Sequence, residues 1–299
     1  MSRKPTFTQD IDLVSLIEAF NSEAKCRTYL EELRWPEGVH CPRCGSDKIS
    51  RIVKRNQFDC DACRYQFSVT AGTIFNDSHL PLWKWFLAVY VMGESKKGIS
   101  ANQLKRMLGV SYKTAWYLCH RIRATMVDTE PLSGTVEADE TWMGHGRRNS
   151  YRSREAKTPL TTVLGAVERG GRVRVTTVDH RYPTKADIES FLDSVTAEDR
   201  LLYSDAAKMY EDLPNHASVD HSVSEWVQGD IHTNTIESVW SLFKRSLIGS
   251  YHKVSVKHLP AYLDEMTFRY NNRENEYLFR DTLLRLIGAE PLEYAELVS

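Results

Sequence analysis

The most regular hydrophobic pattern of the chain lies in residues 231–244, where apolar residues recur at helical spacing. Positions i, i+3, i+4 and i+7 are occupied by Ile236, Val239, Trp240 and Phe243, which predicts an amphipathic helix with one buried stripe. Thr233 or Asn234 is expected to cap its first turn. Glu237 and Lys244 lie two turns apart beside the stripe, and Asn234 shares their side of the helix. The pattern alone leaves open whether Glu237 is a solvated flank or an acid directed into a cleft.

Helical spacing predicts two further helices in the front part of the chain, over residues 10–34 and 79–93. The first ends before Pro36, because a residue that precedes proline disfavours the α conformation. The second carries Pro81 in its first turn, where proline is tolerated. Its aromatic residues are expected to pack in a core, and stacking on nucleic-acid bases is the alternative.

Residues 99–125 carry the pattern of a helix-turn-helix. Ser100 and Ser111 are expected to cap its two helices, and Gly109 ends the first. In a recognition helix, polar residues near the N-terminus reach base edges and cations hold phosphates. The residues predicted on this outer face are Tyr112, Lys113, Thr114, Tyr117, His120, Arg121 and Arg123. A plain helical hairpin is the alternative interpretation.

Two C-x2-C pairs stand between the first and second predicted helices. They are Cys41 with Cys44 and, after 15 intervening residues, Cys60 with Cys63. This spacing matches a four-thiolate zinc site, and the segments around it read as the short strands of a zinc ribbon. Four thiolates occupy all four coordination positions of a tetrahedral zinc ion and leave none open for a substrate, so the predicted role is structural. Disulfides or unrelated buried cysteines are the alternatives, and a reducing cytosol disfavours disulfides.

After a predicted linker over residues 127–134, the pattern changes from helical to strand-like. The predicted elements are strands over 135–139, 161–168 and 172–178, a helix over 184–195, a strand over 200–203, a helix over 206–211, a strand over 217–221, and the helix that begins near 231. This order is that of an RNase H-like fold, a mixed α/β sheet with helices on its faces. A basic helix is predicted over residues 249–273.

Two aspartates end strands of this predicted sheet. Asp139 ends the first strand, and Asp205 follows the fourth, which neighbours the first in an RNase H-like sheet. Glu237 on the last helix is expected to face the same edge. Converging carboxylates repel one another unless a cation lies between them, and oxygen ligands favour Mg²⁺ or Mn²⁺. Two such ions can activate a water or a DNA 3′-hydroxyl for phosphoryl transfer.

Composition changes this picture little. The formal net charge is −1, so the totals alone do not indicate a nucleic-acid partner, although the front half is mildly basic and the back half acidic. No apolar stretch is long enough to span a bilayer or to act as a signal peptide, so a cytoplasmic location without membrane association is expected.

Three segments resemble the motifs of DDE transposases from bacterial insertion sequences. They are VEADETWMG, LYSDAAKMY and IHTNTIESVWSLFKRSLIGSYH. More narrowly, they resemble the ISXO-two-like transposases of insertion-sequence family fifteen ninety-five. The segments CPRCGS and FDCDACRYQFSVTAGTIF resemble the zinc ribbon that opens those proteins. The resemblance covers roughly residues 20–275.

The resemblance implies a DNA transposase that cuts and joins strands with two divalent ions, Mg²⁺ or Mn²⁺, beside one structural zinc. Asp139 and Asp205 match the first two catalytic acids of the family. Glu237 with Lys244 matches its E-x6-K pattern, and Asn234 is a rival third ligand because branches of the family differ there. Lys244 and Arg245 are expected to contact phosphates. Glu140 is expected to point to the opposite face of its strand as a supporting residue.

The implied partner is double-stranded DNA, both the terminal inverted repeats and the target. A homodimer or higher oligomer is expected, because two ends must be cut together, and the bacterial cytoplasm, at the nucleoid, is the expected location. The alternative function is a DNA-binding regulator whose core no longer cuts. The predicted domains are a helical segment (1–36), a zinc ribbon (37–72), a helix-turn-helix domain (73–130) and an RNase H-like catalytic domain with C-terminal helices (131–299).

Overall fold

The computed structural model describes residues 11–143, 161–205, 207–219 and 231–299. The chain divides into two units. The first comprises Met1–Ser95, Ala101–Met126 and Glu274–Ser299, and the second comprises Lys96–Ser100 and Val127–Arg273. The sequence had predicted that the catalytic domain continues to residue 299, whereas the structure groups the last 26 residues, Glu274–Ser299, with the first unit.

The described helices are α1 (Leu13–Ala19), α2 (Glu23–Arg34), α3 (Leu82–Glu94), α4 (Ala101–Leu108), α5 (Tyr112–Arg123), α6 (Lys185–Val195), α7 (Asn234–Ser246), α8 (Leu259–Asn271), α9 (Leu278–Gly288) and α10 (Tyr294–Val298). The described strands are β1 (Ile49–Ile52), β2 (Gln57–Cys60), β3 (Gln66–Phe67), β4 (Thr135–Met143), β5 (Thr161–Glu168), β6 (Val173–Val178), β7 (Leu201–Asp205) and β8 (His216–Val219). Among the described residues, no helix is both long and apolar enough to cross a membrane.

The single helix predicted over residues 10–34 is two helices, and Asp10 lies outside the described residues. Ser22 has an extended backbone, and its hydroxyl accepts a hydrogen bond from the Lys25 amide. This bond makes Ser22 the N-cap of α2. A residue that caps a new helix is not itself helical, so α1 ends at Ala19 and the chain turns before α2 begins.

An aromatic cluster forms the core of the first unit around α2, α3 and α9. The Phe20 ring lies 5.0 Å from that of Tyr29 and 4.8 Å from that of Phe86, centroid to centroid. Phe279 of α9 closes the cluster, 5.6 Å from Phe86. Edge-to-face contacts of this kind stabilise a core beyond the area that they bury. These contacts explain why α9 belongs to this unit.

The second unit contains a five-stranded sheet in the order β6-β5-β4-β7-β8. Strands β4, β5 and β6 pair antiparallel, whereas β7 pairs parallel with β4 and with β8. This mixed order is the predicted RNase H-like arrangement, which is confirmed. Residues 220 and 221 of the strand predicted over 217–221 lie outside the described residues.

Both faces of this sheet are covered by helices. Strand β5 is buried along nearly its whole length, as is typical of a strand between two helical layers. Val163 and Val167 pack with α7 and α8, whereas Leu164 and Ala166 pack with α6. Successive strand residues point to opposite faces. The face of a side chain on β4 therefore tells which helix it contacts.

Residues 249–273 are not one helix, contrary to the prediction. The chain leaves α7 through a π-helical turn at Leu247–Tyr251, and α8 begins only at Leu259. His252 has a positive φ of 59°, which a right-handed helix does not allow. Pro260 then occupies the first turn of α8, where its missing N–H costs nothing.

Candidate active site and metal centres

The four cysteines of the two C-x2-C pairs converge in the first unit. Their Sγ atoms all lie within 4.8 Å of one another, and the Cys41–Cys63 and Cys44–Cys60 pairs are each 3.6 Å apart. A disulfide needs about 2 Å between sulfurs, so these are thiols. Sulfurs about 2.3 Å from a tetrahedral zinc are about 3.8 Å apart. The predicted quartet therefore fits zinc and does not fit a disulfide pair.

Asp139 and Asp205 lie on neighbouring strands, near the edge of the second unit's sheet at which β7 ends. Asp139 lies within β4 and not at its end as predicted, because β4 continues to Met143. Strands β4 and β7 run parallel, with Glu137 paired to Tyr203. Each aspartate stands two residues beyond that pair, so the two side chains leave the same face at the same level. The prediction that neighbouring strands carry these acids is confirmed by the sheet order.

The electrostatics of this edge reflect crowded negative charge. The pKa of Asp139 is raised to about 7, first by burial and then by the charges of Glu140 and Asp205. A hydrogen bond from Trp240 opposes that rise. Burial also raises the pKa of Glu140, and the charge of Asp205 adds to it. A divalent cation would remove this repulsion.

Glu140 follows Asp139 on β4, so its side chain leaves the strand on the other face, although its charge still acts on Asp139. Its Oε2 accepts a hydrogen bond from the Tyr210 hydroxyl at 3.1 Å. Tyr210 belongs to the core on the α6 side. Burial raises the pKa of Tyr210 well above its ordinary value, and the charges of Glu140, Asp139 and Asp205 add to the rise. The phenol therefore stays protonated and serves Glu140 as a hydrogen-bond donor.

Helix α7 presents its predicted apolar stripe to the sheet, since all four predicted residues are buried. Glu237 and Asn234 are exposed in its first turn, and Lys244 and Arg245 are exposed in its last. Glu237 Oε1 lies 3.4 Å from the Thr233 hydroxyl, which donates to it. Among the described residues, the cysteines are the only group of three or more metal-ligating side chains that is already drawn together. The structure therefore does not bring Glu237 together with Asp139 and Asp205 into a preformed triad.

The first turn of α7 is not capped as predicted. Thr233 occupies the N-cap position, but its side chain makes no capping bond, and Asn234 is already helical. The carboxylate of Glu137 from β4 instead accepts the amides of Thr235 and Ile236. The sequence predicted the helix correctly and its cap wrongly, because the cap comes from a residue about 100 positions earlier.

The outer face predicted for α5 is correct only at its N-terminal end. Ser111 caps the helix as predicted, through a 3.1 Å bond from the Thr114 amide, and Tyr112 and Lys113 are exposed. Tyr117 donates its hydroxyl hydrogen to the Leu292 carbonyl.

Three residues near the end of α5 are buried, contrary to the prediction: His120, Arg121 and Arg123. The Arg121 guanidinium donates to the carbonyls of Ile74 and Asn76 and lies 4.9 Å from the Trp85 ring centroid. Arg123 is 1% exposed. Neither guanidinium is available to DNA phosphates in this arrangement, because both side chains are buried.

Comparison with known families agrees with this geometry. Residues 131–271 match the ISXO2-like transposase domain, and residues 21–66 match the transposase zinc-ribbon domain. A protein of the transposable element ISH50 from Halobacterium salinarum is 31% identical over 279 residues, which cover 85% of this chain and 92% of the relative. The chain belongs to the ISXO2-like transposases.

Solved structures of the Mos1 transposase are also similar to this ISXO2-like transposase. The pre-cleavage Mos1 transpososome matches at 12% identity over 68% of this chain and 75% of that one, with a TM-score of 0.27. The Mos1 strand transfer complex matches at the same identity and coverage with a TM-score of 0.29. TM-scores this low add no support to the fold assignment, which rests on the strand order of the sheet.

Two residues of the ISXO2-like site were missed by the sequence interpretation, Trp240 and Gly165. Trp240 Nε1 donates to Asp139 Oδ2 at 2.8 Å, although its spacing had predicted only a core residue. A Cβ atom on Gly165 would lie 2.3 Å from Cη2 of that indole, so β5 needs a glycine there. The signal that could have found Trp240 is its polar N–H, which requires a partner when the ring is buried.

We expect the Cys44→Ser variant of this transposase to lose its zinc and to loosen the first unit. Metal binding contributes directly to the folding of small zinc modules. Elemental analysis of protein purified without chelator should give about one zinc per parent chain and none in the variant. Cys119→Ser, which changes a buried cysteine outside the quartet, should keep its zinc. A parent chain without zinc would contradict the assignment.

Proposed function

We propose that this transposase binds the terminal inverted repeats of an insertion sequence and performs metal-dependent strand cleavage and strand transfer. The observation that carries the proposal is the pair Asp139 and Asp205, set on one face of neighbouring parallel strands. Membership of the family supports transposition in general, and this pair of carboxylates would supply metal ligands for strand cleavage.

The side chains at this edge fit Mg²⁺ or Mn²⁺. Carboxylate oxygens are the ligands that both ions prefer. The raised pKa of Asp139, due to burial and to the neighbouring acids, is typical of acids that lack a compensating charge. Two ions bound there would activate the attacking oxygen and stabilise the leaving one. Asp139 and Asp205 would hold both, and Trp240 would keep Asp139 oriented.

The exposed residues of α7 supply the remaining roles. Glu237 would be the third acidic ligand, with Asn234 assisting, since both lie in the first turn of the helix. Lys244 and Arg245, exposed in the last turn, would hold phosphates near the end of the element. Cations held one or two turns from the acids can fix the backbone without reading its sequence.

Repeat recognition would begin at the N-terminal end of α5. Tyr112, Lys113 and Thr114 lie there, where recognition helices contact base edges. The Lys113 ammonium lies 4.2 Å from the Tyr294 ring centroid. An exposed cation–π contact contributes only about 0.5–1 kcal/mol, so it does not prevent a phosphate contact. Tyr117, bonded to Leu292, would support this end, and Arg121 and Arg123 are left out of the DNA surface because they are buried.

We expect Lys113→Ala to bind repeat DNA more weakly and with a shallower salt dependence. Each phosphate contact that is lost lowers the slope of log K against log salt by about 0.9. The measurement is a salt titration of duplex binding by fluorescence anisotropy. Lys25→Ala, which removes an exposed lysine of α2, is the matched control. If the salt titration of Lys113→Ala overlays those of Lys25→Ala and the parent, Lys113 on α5 does not contact DNA phosphates.

The cutting activity is tested by incubating the parent chain with duplex DNA that carries an end of the element. We expect strand cleavage in Mn²⁺ or Mg²⁺ and none in EDTA, with at least two copies of the chain on paired ends. A chain that binds the repeat but never cuts it in either ion would instead be the regulator.

A further inference from the structure

A fully buried carboxylate lies beside the proposed site without belonging to the proposed ligands. Glu137 stands on β4 two residues before Asp139, on the same face of the strand, and is 0% exposed. Its Oε2 accepts the amides of Thr235 at 2.8 Å and of Ile236 at 3.1 Å. Its Oε1 accepts the Thr235 hydroxyl at 2.8 Å. Glu137 thus satisfies the amides at the start of α7, and its charge matches the positive end of the helix dipole.

Two basic side chains lie against this buried carboxylate, Arg169 and His232, whose Nδ1 lies 3.2 Å from Oε1. Arg169, in the turn after β5, donates from Nε to Glu137 Oε1 at 2.8 Å. Its Nη2 donates to the His232 carbonyl at 3.0 Å, just before α7. Its guanidinium lies 4.8 Å from the Tyr203 ring centroid on β7. The network therefore joins the start of α7 to the strands that carry both aspartates.

Helix α7 is thereby held to β4 at two points. Glu137 holds its first turn, and Trp240, one turn later, donates to Asp139. Two points along a helix fix both its translation and its rotation. Glu237 lies between them, so the position of its backbone relative to Asp139 is set by these bonds.

We propose that Glu137 is a positioning residue, which holds the first turn of α7, and with it Glu237 and Asn234, against the strand that carries Asp139. This inference rests on the proposed function. Residues that orient metal ligands typically change metal affinity or activity by 10–100-fold when they are replaced. A residue that only supports the fold would lower thermal stability and leave metal affinity unchanged.

The second unit offers a matched control for this distinction. Glu265 of α8 is also 0% exposed and is paired with Arg269. It accepts the Tyr251 hydroxyl at 2.7 Å. Tyr251 and Arg269 lie neither on β4 nor on α7. Glu265→Gln therefore reproduces the loss of a buried, paired carboxylate without disturbing the two points that hold α7.

The experiment compares Glu137→Gln, Glu265→Gln and the parent as full-length chains. Two quantities are measured: the Mn²⁺ concentration for half-maximal cleavage of a repeat-end duplex, and the shift of the melting temperature Tm produced by Mn²⁺ without DNA. We expect Glu137→Gln to need about 10–100-fold more Mn²⁺, to lose most of the shift, and to bind the duplex in EDTA like the parent. Glu265→Gln should have a lower Tm but an unchanged Mn²⁺ midpoint and shift.

Each other outcome has a definite meaning. A Glu137→Gln variant with a lower Tm but the parental Mn²⁺ midpoint and shift makes Glu137 structural and overturns the inference alone. A parent that neither cuts nor responds to Mn²⁺ overturns the proposed function and this inference with it. If Glu137→Gln does not fold, Thr235→Val carries the test: it removes only the hydroxyl bond to Oε1 and should raise the midpoint several-fold. A parental midpoint in that variant would overturn the inference.

Discussion

Asp139→Asn and Asp205→Asn are each expected to bind repeat-end duplex DNA like the parent and to cut it at least about 100-fold more slowly. This loss of activity is at least as large as the upper end of the range, about 10–100-fold, that is typical when a residue that only orients metal ligands is replaced. Asparagine keeps the size of the side chain and removes the charge that would hold the ions. The proposed phosphate-backbone contacts lie elsewhere on the chain, so binding and cutting should separate. The measurements are duplex binding in EDTA and cleavage in Mn²⁺.

Stability distinguishes a catalytic role from a structural one for Asp139. Its folded-state pKa of about 7 lies above the ordinary value of 3.8, so ionisation destabilises the metal-free fold as the pH rises from about 4 through 7, and the loss is complete above 7. At pH 8 in EDTA, Asp139→Asn should therefore melt no lower than the parent, provided that the amide oxygen keeps the bond from Trp240. A variant that does not cleave DNA and whose Tm is far below that of the parent would indicate misfolding instead.

The matched control for both variants is Asp193→Asn, which changes an exposed aspartate of α6 in the same unit. Its cleavage rate should equal that of the parent. Cleavage retained in both Asp139→Asn and Asp205→Asn would remove this edge of the sheet from the mechanism.

Glu237→Gln is expected to abolish cleavage, whereas Asn234→Ala is expected to reduce it and to recover in part in Mn²⁺. Both residues are exposed in the first turn of α7, so geometry alone does not decide between them. Charge favours Glu237, because a carboxylate neutralises a divalent ion and an amide oxygen does not. Since Glu137 and not Asn234 caps the helix, Asn234→Ala should leave Tm nearly unchanged.

The opposite pattern would reassign the third ligand. An active Glu237→Gln beside a dead but folded Asn234→Ala would move that role to Asn234 and leave Glu237 as a solvated flank. The readouts are the cleavage rate in Mg²⁺ and in Mn²⁺, with Tm as the check that each variant is folded.

Periodicity predicted the parts of this chain in which one face is buried. The stripe of α7 emerged because a single buried face gives one clear period. The cysteine spacing likewise predicted a quartet that the structure brings together. The order of the predicted elements was enough to predict that neighbouring strands carry the two aspartates.

Features that depend on distant partners could not be predicted in the same way. Arg121 reads as a surface cation, yet the carbonyls of Ile74 and Asn76 accept its hydrogens, and no periodic pattern encodes that pairing. Phe279 places α9 in the first unit, through a ring contact with Phe20 from the other end of the sequence. Glu137 looked like an ordinary strand residue, because its partners are about 100 residues away.

The central claim is that Asp139 and Asp205 hold the ions that cut DNA. The most direct measurement is a crystal structure of the chain bound to repeat-end DNA in Mn²⁺, with anomalous scattering used to locate manganese. We predict manganese between the two aspartates, with Glu237 as a further ligand and the scissile phosphate beside it. Manganese bound elsewhere on the chain, with Asp139 and Asp205 making no contact to it or to the DNA, would contradict the account.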